Sequence, residues 1–190
     1  MQNQKKVQIC ADRLKSKLPE GFVPKIGIVL GTGLGNLIHF VRNAVRIPYG
    51  ELPDFPESTV ASHAGAFVAG YLGEDAVPVM LQQGRCHLYE GRSPADVCMG
   101  VRVMALCGIK AVVVTNAAGA INPLFEAGGL MLIEDQINFT GQSPLTGRNE
   151  DSWGLRFPDM SQVYNPALSA ILERNALRLG IRLEKGVYAC

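Results

Sequence analysis

The feature that most constrains the fold is the alternation of short apolar runs with capped helical segments. Residues 93–108 begin with a predicted N-cap at Ser93, have Pro94 at the first helical position and end at Gly108. Residues 165–180 repeat this pattern. Apolar runs that predict strands lie at 25–31, 66–72, 76–82, 110–119, 128–139 and 184–190. We therefore expect an α/β fold with a central, mostly buried mixed sheet flanked by helices.

Length and charge exclude several classes of protein. The 190 residues suffice for a single domain, 1–190, and the composition is that of a globular chain, with 47% hydrophobic and 18% charged residues. A formal net charge of +1 argues against bulk attraction to nucleic acid or to anionic lipid. Residues 4–18 are too polar for a signal peptide and predict a helix, and no apolar run reaches the ~20 residues that span a bilayer. We expect a cytoplasmic protein with no nucleic-acid or membrane partner.

The cysteines and histidines do not form a metal-binding pattern. The five cysteines are an odd number and none are spaced C-x-x-C, which favours free thiols in a reducing compartment. His63 and His87 are distant in sequence, and no cysteine or carboxylate pattern completes a ligand set with either. We therefore predict no metal site.

Ligands of α/β proteins gather at the loops that follow strands, and three such loops carry chemistry here. The first is LGTGLGN, residues 30–36, in which three glycines allow close backbone approach. Thr32 adds a hydroxyl donor, so the turn could form an anion-binding nest. Asn36 stands where the dinucleotide-binding fingerprint requires glycine, and no lysine follows as in a P-loop. A tight turn without a ligand is the alternative interpretation.

The second loop is QQGRCHLYEGR, residues 82–92. In an extended segment Arg85, His87 and Tyr89 would share one face, opposite Cys86 and Leu88. An arginine fork suits phosphate or carboxylate, and a histidine beside it can exchange a proton near neutral pH. The alternative is a solvated loop with an ordinary salt bridge from Arg85 to the glutamate at position 90.

The third loop, TNAAGA at 115–120, leaves backbone amides accessible at Ala117, and Asn116 could orient the turn or a ligand. A close packing contact that requires small residues is the alternative. A further segment, SHAG at 62–65, places His63 among small residues, which argues against a packed core position. A solvent-exposed loop histidine is equally compatible with that segment.

Taken together, these segments resemble the trimeric type of purine nucleoside phosphorylase. The matching segments, in the order of that family, are LGTGLG, STVASHAGAFVAG, QGRCHLYEGR, VVVTNAAGAINP, LIEDQINFTGQSPLTGRNE and LRFPDMSQVY. The resemblance implies three overlapping sets of site residues. They are a phosphate site of Thr32, His63, Arg85, His87 and Ala117, catalytic roles for His87, Glu90 and His63, and nucleoside contacts from Tyr89, Asn116, Phe157 and Tyr188.

The resemblance also implies a reaction. Phosphate would attack C1′ of a purine ribonucleoside or deoxyribonucleoside of the inosine or guanosine type, with inorganic phosphate as co-substrate and no cofactor. It implies a homotrimer in which Phe157 reaches a neighbouring subunit's site, and a role in purine salvage. The family continues beyond the segment that matches GVYAC, so we expect residues 1–190 to form the N-terminal two-thirds of a nucleoside phosphorylase-like domain, incomplete at its C-terminus. Alternatives are a xanthosine or methylthioadenosine phosphorylase and a truncated, non-catalytic, phosphate-binding remnant.

Overall fold

The computed structural model describes residues 2–57 and 65–190. The chain forms two compact units, Met1–Ala117 and Ala118–Cys190, and the prediction of a single domain stays a prediction. The described residues of the first unit form three α-helices and five strands: α1 (Gln2–Lys15), β1 (Ile26–Leu30), β2 (Arg42–Pro48), β3 (Ala66–Leu72), β4 (Val77–Gln83), α2 (Pro94–Val97), α3 (Met99–Leu106) and β5 (Ala111–Val114).

The strands of the first unit form one mixed sheet in the order β2-β3-β4-β1-β5. Strands β2, β3 and β4 are antiparallel neighbours, whereas β1 runs parallel to both β4 and β5. The two strands predicted at 66–72 and 76–82 are confirmed as β3 and β4, and they form a hairpin with Leu72 opposite Val77. Strand β2 was not predicted from the sequence. The resulting arrangement places β1 between β4 and β5.

Both faces of this sheet are covered, as the alternation of side chains along β3 shows. Phe67 and Ala69 are buried together with residues of α1 and α3. Val68 lies on the opposite face with Leu81, and the 3-10 helix Gly35–Phe40 packs against that second cluster. The apolar runs at 25–31, 66–72 and 76–82 therefore belong to the part of the sheet that is buried on two sides, whereas Val112, Val113 and Val114 of β5 are exposed.

The helix predicted over residues 93–108 is divided in two by the structure. Ser93 caps α2 as expected, because its hydroxyl accepts a hydrogen bond from the backbone N–H of Asp96 at 3.2 Å. The chain then breaks at Cys98, whose ψ of −5° falls outside ideal helical geometry, before α3 begins. Gly108 ends α3 with φ of +108°, a conformation that favours glycine.

The second unit consists of two parallel strands and one long helix. Strand β6 (Leu130–Ile137) pairs with β7 (Leu183–Ala189), and α4 (Pro166–Arg178) begins at Asn165. The Asn165 side chain accepts from the backbone N–H groups of residues 167 and 168, at 2.9 and 3.2 Å. Among the described residues, no helix is long and apolar enough to cross a membrane.

Candidate active site

Three of the predicted loops leave the same edge of the five-stranded sheet. Strand β1 is parallel to β4 and β5, so the carboxyl ends of all three strands point the same way. Leu30 at the end of β1 lies opposite Gln83 at the end of β4, and Val29 lies opposite Val114 at the end of β5. The segments 31–34, 84–90 and 115–117 therefore begin side by side, as expected for a ligand site of an α/β sheet.

The glycine turn after β1 is shaped by close contact with the segment after β5. A Cβ atom on Gly31 would lie 2.7 Å from the Cα of Asn116, so only glycine fits there. Gly33 has φ of +86°, and the N–H of Leu34 closes the turn on the carbonyl of Gly31 at 3.1 Å. Thr32 is exposed at the tip of this turn. The close contact therefore requires a glycine in the first loop, at position 31. The alternative interpretation had instead explained the small residues of the third loop, 115–120, by such a contact.

Arg85 anchors the loop after β4 to the end of the central strand. One guanidinium N–H, from Nη1, donates to the carbonyl oxygen of Leu30 at 3.0 Å. A guanidinium has five N–H groups, so this bond fixes the side chain while leaving donors for an anion. Arg85 is therefore held beside the glycine turn by a bond that the sequence did not indicate.

His87 and Glu90 form the most tightly defined pair of the loop. The Glu90 carboxylate oxygen Oε1 accepts from the backbone N–H of His87 at 2.8 Å and lies 2.9 Å from its Nδ1. The Glu90 side chain is 2% exposed and that of His87 is 21% exposed. An ionised carboxylate can only accept, so the hydrogen lies on Nδ1 in this pair. Glu90 is thus bonded to His87, not to Arg85 as the alternative interpretation proposed.

The same-face prediction for Tyr89 rested on an extended backbone, and this was wrong. Strand β4 ends at Gln83, and residues 88–90 form a 3-10 turn instead of continuing the alternation. The turn nevertheless brings the Tyr89 ring parallel to the His87 ring, with centroids 4.7 Å apart and an interplanar angle of 12°. Tyr89 is 76% exposed, so one side of its ring is accessible to a ligand. Cys86 is buried and Leu88 is half-buried.

Two residues that sequence reasoning missed hold these loops in place. The hydroxyl of Thr115 bridges β1 and the glycine turn, since it donates to the carbonyl of Val29 and accepts from the N–H of Gly31, each at 2.8 Å. The hydroxyl of Tyr49, which is buried, donates to the carbonyl of Gly84 at 2.6 Å. Burial raises the pKa of the Tyr49 phenol far above its usual range, so the donor persists at neutral pH. The only sequence signal that could have identified Thr115 and Tyr49 is that each has a hydroxyl group and lies near a glycine in the chain.

The other predicted site residues belong to the third loop, to the segment outside the described residues and to the second unit. Asn116 and Ala117 follow β5, with Asn116 half-buried and Ala117 exposed. His63 lies outside the described residues. Phe157 and Tyr188 belong to the second unit, where Phe157 is 85% exposed and the Arg156 guanidinium lies 5.8 Å from its ring centroid. Among the described residues, no group of three or more His, Cys, Asp or Glu side chains could hold a metal ion.

This chain belongs to the Phosphorylase superfamily, whose sequence pattern matches residues 25–190. It is 48% identical over 183 residues to purine nucleoside phosphorylase 1 of Bacillus subtilis (strain 168), covering 96% of this chain and 66% of that protein. It is 48% identical over 170 residues to the purine nucleoside phosphorylase of Bos taurus, covering 87% of this chain and 58% of that protein. The chain therefore spans about two-thirds of the length of these relatives or less.

Solved structures give the same result for the fold. Isoform 2 of purine nucleoside phosphorylase from Schistosoma mansoni, in complex with cytosine and ribose-1-phosphate, superposes with a TM-score of 0.88 at 36% identity. A purine nucleoside phosphorylase in complex with ribose-1-phosphate gives 0.90 at 34% identity. Each alignment covers 97% of this chain, and 65% and 68% of the solved chains respectively. The predicted fold class and family are confirmed.

Proposed function

We propose that the protein acts in the phosphorolysis of purine ribonucleosides and deoxyribonucleosides of the inosine and guanosine type. The observation that carries this proposal is the meeting of the loops after β1, β4 and β5 at one sheet edge. That edge gathers a glycine turn, the Arg85 guanidinium and the His87–Glu90 pair. Identity of 48% to a purine nucleoside phosphorylase supports the substrate class.

The reaction forms one bond and breaks one. A phosphate oxygen bonds to C1′ of the sugar while the bond from C1′ to the purine nitrogen breaks. The bonding pair leaves with the purine, which takes up a proton, and the sugar leaves as its 1-phosphate. Departure of the base builds positive charge on the sugar ring, as in glycoside hydrolysis. A bound phosphate dianion stabilises that charge and then captures C1′.

The sheet edge supplies what this chemistry requires of the phosphate site. A dianion must be held close to the sugar without being neutralised, and fixed dipoles and one cation achieve this by preorganisation. In the proposal Thr32 donates its hydroxyl, Ala117 its backbone N–H and Arg85 its guanidinium. His87, oriented by Glu90, hydrogen-bonds the same anion, and His63 is assigned beside it.

The nucleoside would lie against the remaining predicted residues. Tyr89 offers an accessible ring to the ribose, and packing there would exclude water from the reacting carbon. Asn116 and Tyr188 are assigned to the nucleoside, and Phe157 to the sugar of a neighbouring subunit in a homotrimer. Inorganic phosphate is the only co-substrate, with no metal or organic cofactor. The proposal includes a cytoplasmic role in purine salvage.

Phosphate-dependent release of hypoxanthine from inosine tests the function. Arg85→Ala should weaken phosphate binding by about 1.5–3 kcal/mol, the range for a lost hydrogen bond to a charged group. Arg85→Lys is the matched variant, because it keeps the charge and loses the planar fork. We expect it to fall between Arg85→Ala and the wild type. Unchanged phosphate dependence in Arg85→Ala would contradict the assignment.

Phosphate binding without turnover is a second candidate function, favoured because Thr32, Arg85, His87 and Ala117 all belong to the unit Met1–Ala117. Calorimetry of the 190-residue chain with inorganic phosphate and with inosine separates the two functions. Release of base by this chain excludes the second candidate. Phosphate binding with no base released supports it. Methylthioadenosine and xanthosine belong in the same substrate panel, and preference for either would replace the inosine and guanosine type.

A further inference from the structure

The Thr115 side chain links the two loops of the candidate phosphate site that follow β1 and β5. Its hydroxyl donates to the carbonyl of Val29 and accepts from the N–H of Gly31, both at 2.8 Å. Its own backbone N–H donates to the same Val29 carbonyl at 3.1 Å. A hydroxyl is one of the few side-chain groups that can donate and accept at once, so the position suits threonine or serine.

These bonds determine which amides of the glycine turn can reach an anion. The Gly31 N–H is taken by Thr115, and the Leu34 N–H is taken by the carbonyl of Gly31. Within residues 2–57 and 65–190, the N–H groups of Thr32 and Gly33 have no partner. The turn therefore presents two adjacent donors at its tip while its flanking amides are satisfied within the protein.

The same bonds couple the turn to the next loop. Gly31 is buried, and its Cα lies so close to residue 116 that a Cβ would come within 2.7 Å of the Asn116 Cα. Ala117 follows directly. A change in the Thr115–Gly31 bond thus displaces both the glycine turn and the segment that carries the Ala117 amide.

We propose that Thr115 is a positioning residue for phosphate. Its hydroxyl orients the glycine turn so that the Thr32 and Gly33 amides and the Ala117 amide converge on one anion. The inference rests on the proposed function, because it assumes phosphate at this sheet edge. Of the proposed nucleoside residues only Asn116 directly follows Thr115, and Tyr89 belongs to a different loop. Loss of the Thr115 hydroxyl should therefore impair phosphate binding more than nucleoside binding.

The test compares Thr115→Val with Thr115→Ser. Valine keeps the shape and removes both hydroxyl bonds, whereas serine keeps the hydroxyl. Inorganic phosphate binding to the 190-residue chain is measured by calorimetry, together with KM for phosphate and for inosine wherever turnover occurs. We expect Thr115→Val, which loses both hydroxyl bonds, to bind phosphate about ten-fold more weakly. Thr115→Ser should remain within about two-fold of the wild type. In Thr115→Val, KM for inosine should rise by less than KM for phosphate.

Several results would overturn the inference. Equal phosphate affinity in Thr115→Val and Thr115→Ser would do so, as would equal increases in both KM values, since a purely structural role predicts no selectivity for phosphate. A wild-type chain that binds no phosphate would overturn the proposed function as well, and this separates the two failures.

Amide spectra of the wild type keep the inference testable if Thr115→Val does not fold. On titration with inorganic phosphate, the Thr32 and Gly33 amide resonances should shift and gain protection from hydrogen exchange. The Gly31 amide should already be protected without phosphate and change least of the three. A Gly31 amide that is unprotected without phosphate and responds most strongly to it would contradict the assignment.

Discussion

The two units of the chain contain the same kinds of secondary structure but differ in burial. Every buried apolar side chain of the described residues lies at or before Cys107. In residues 118–190, all of which the structure describes, no side chain is buried. Helix α4 leaves Leu168, Ile171 and Leu172 between 42 and 46% exposed, although their spacing is that of an apolar helix face. Strands β6 and β7 form a two-stranded sheet, which is marginal in stability without a packed face.

This difference falls between most of the proposed phosphate residues and two of the four proposed nucleoside residues, since Tyr89 and Asn116 also lie in the first unit. Of the proposed phosphate residues, Thr32, Arg85, His87 and Ala117 lie at one edge of the five-stranded sheet, where hydrogen bonds fix Arg85 and His87. Phe157 and Tyr188, assigned to the nucleoside, lie in the unit that has no buried core. A dianion must be held in one geometry for attack, whereas a sugar and base need contact area. In our proposal, the better-packed unit therefore carries the contacts with the stricter geometric requirement.

Thiol reactivity gives the largest expected contrast between the units. Burial raises the pKa of Cys10 to about 12 and that of Cys107 to about 11, from an ordinary 9.0. At neutral pH this lowers their thiolate fractions about 100- to 1,000-fold, and Cys190 is exposed. We expect Cys190 to react first with a disulfide reagent, followed by mass spectrometry of the labelled peptides. Cys190→Ser should remove the fast phase, and fast labelling of Cys10 in the native protein would contradict the assigned core.

Leucine-to-alanine substitutions near the ends of two helices compare the two units by their effect on the free energy of unfolding. Leu14 in the last turn of α1 is 0% exposed, and Leu177 in the last turn of α4 is 82% exposed. Leu14→Ala should lower the free energy of unfolding by about 2–5 kcal/mol. Leu177→Ala should change it by no more than about 0.5 kcal/mol. Urea unfolding measures both. Similar losses for the two variants would mean that the second unit buries a core after all.

Two alanine substitutions in the glycine turn test how rigid the phosphate edge is. Gly31→Ala places a Cβ 2.7 Å from backbone atoms of residues 115 and 116, whereas Gly35→Ala meets nothing within 4 Å. Gly31→Ala should cost about 1–3 kcal/mol of stability and weaken phosphate binding. Gly35→Ala should leave both nearly unchanged. Thermal unfolding and phosphate calorimetry provide the measurements, and tolerance of Gly31→Ala would show that the two loops can separate freely.

Helix caps give the smallest expected effect. Asn165→Ala removes two side-chain bonds from the start of α4, at about 1 kcal/mol. Because α4 has little packing to support it, we expect the lost stability to appear as faster hydrogen exchange of the α4 amides. The exchange of the α3 amides should not change. Ser93→Ala, which removes the cap of α2, is the matched variant in the first unit. Equal loss of protection throughout the chain would show that the units unfold together.

Local sequence signals predicted most elements because each has a local physical cause. Apolar runs located β3 and β4, and the capping residues located the starts of α2 and α4. Strand β2 escaped prediction because it contains Asn43 at φ of +50° and ends in proline, features of an irregular edge strand. The break at Cys98 has no signal in the apolar pattern.

The sequence predicted which residues belong to the candidate site, but it did not predict the hydrogen bonds that hold them in place. The loops after apolar strands indicated where a ligand would lie, and the family resemblance supplied their roles. The bond from Arg85 to Leu30 and that from Tyr49 to Gly84 join residues 55 and 35 positions apart. Such bonds depend on strand order and register, which no local pattern specifies. The turn at residues 88–90 likewise replaced an extended segment that alternation alone had favoured.

The position of β1 between β4 and β5 also governs when the site can form during synthesis. The bond from Thr115 to Val29 spans 86 positions, and Arg85 bonds Leu30 across 55. At about 5–20 residues per second, a ribosome needs about 4–17 s to make the chain between Val29 and Thr115. The β3–β4 hairpin can form within that interval, but the glycine turn cannot make its bond to Thr115 until residue 115 has been synthesised. Contacts of such long range are also the slowest to form in a free chain. The sheet edge that we propose for phosphate is therefore completed late, after the β3–β4 hairpin and together with the pairing of β5 with β1.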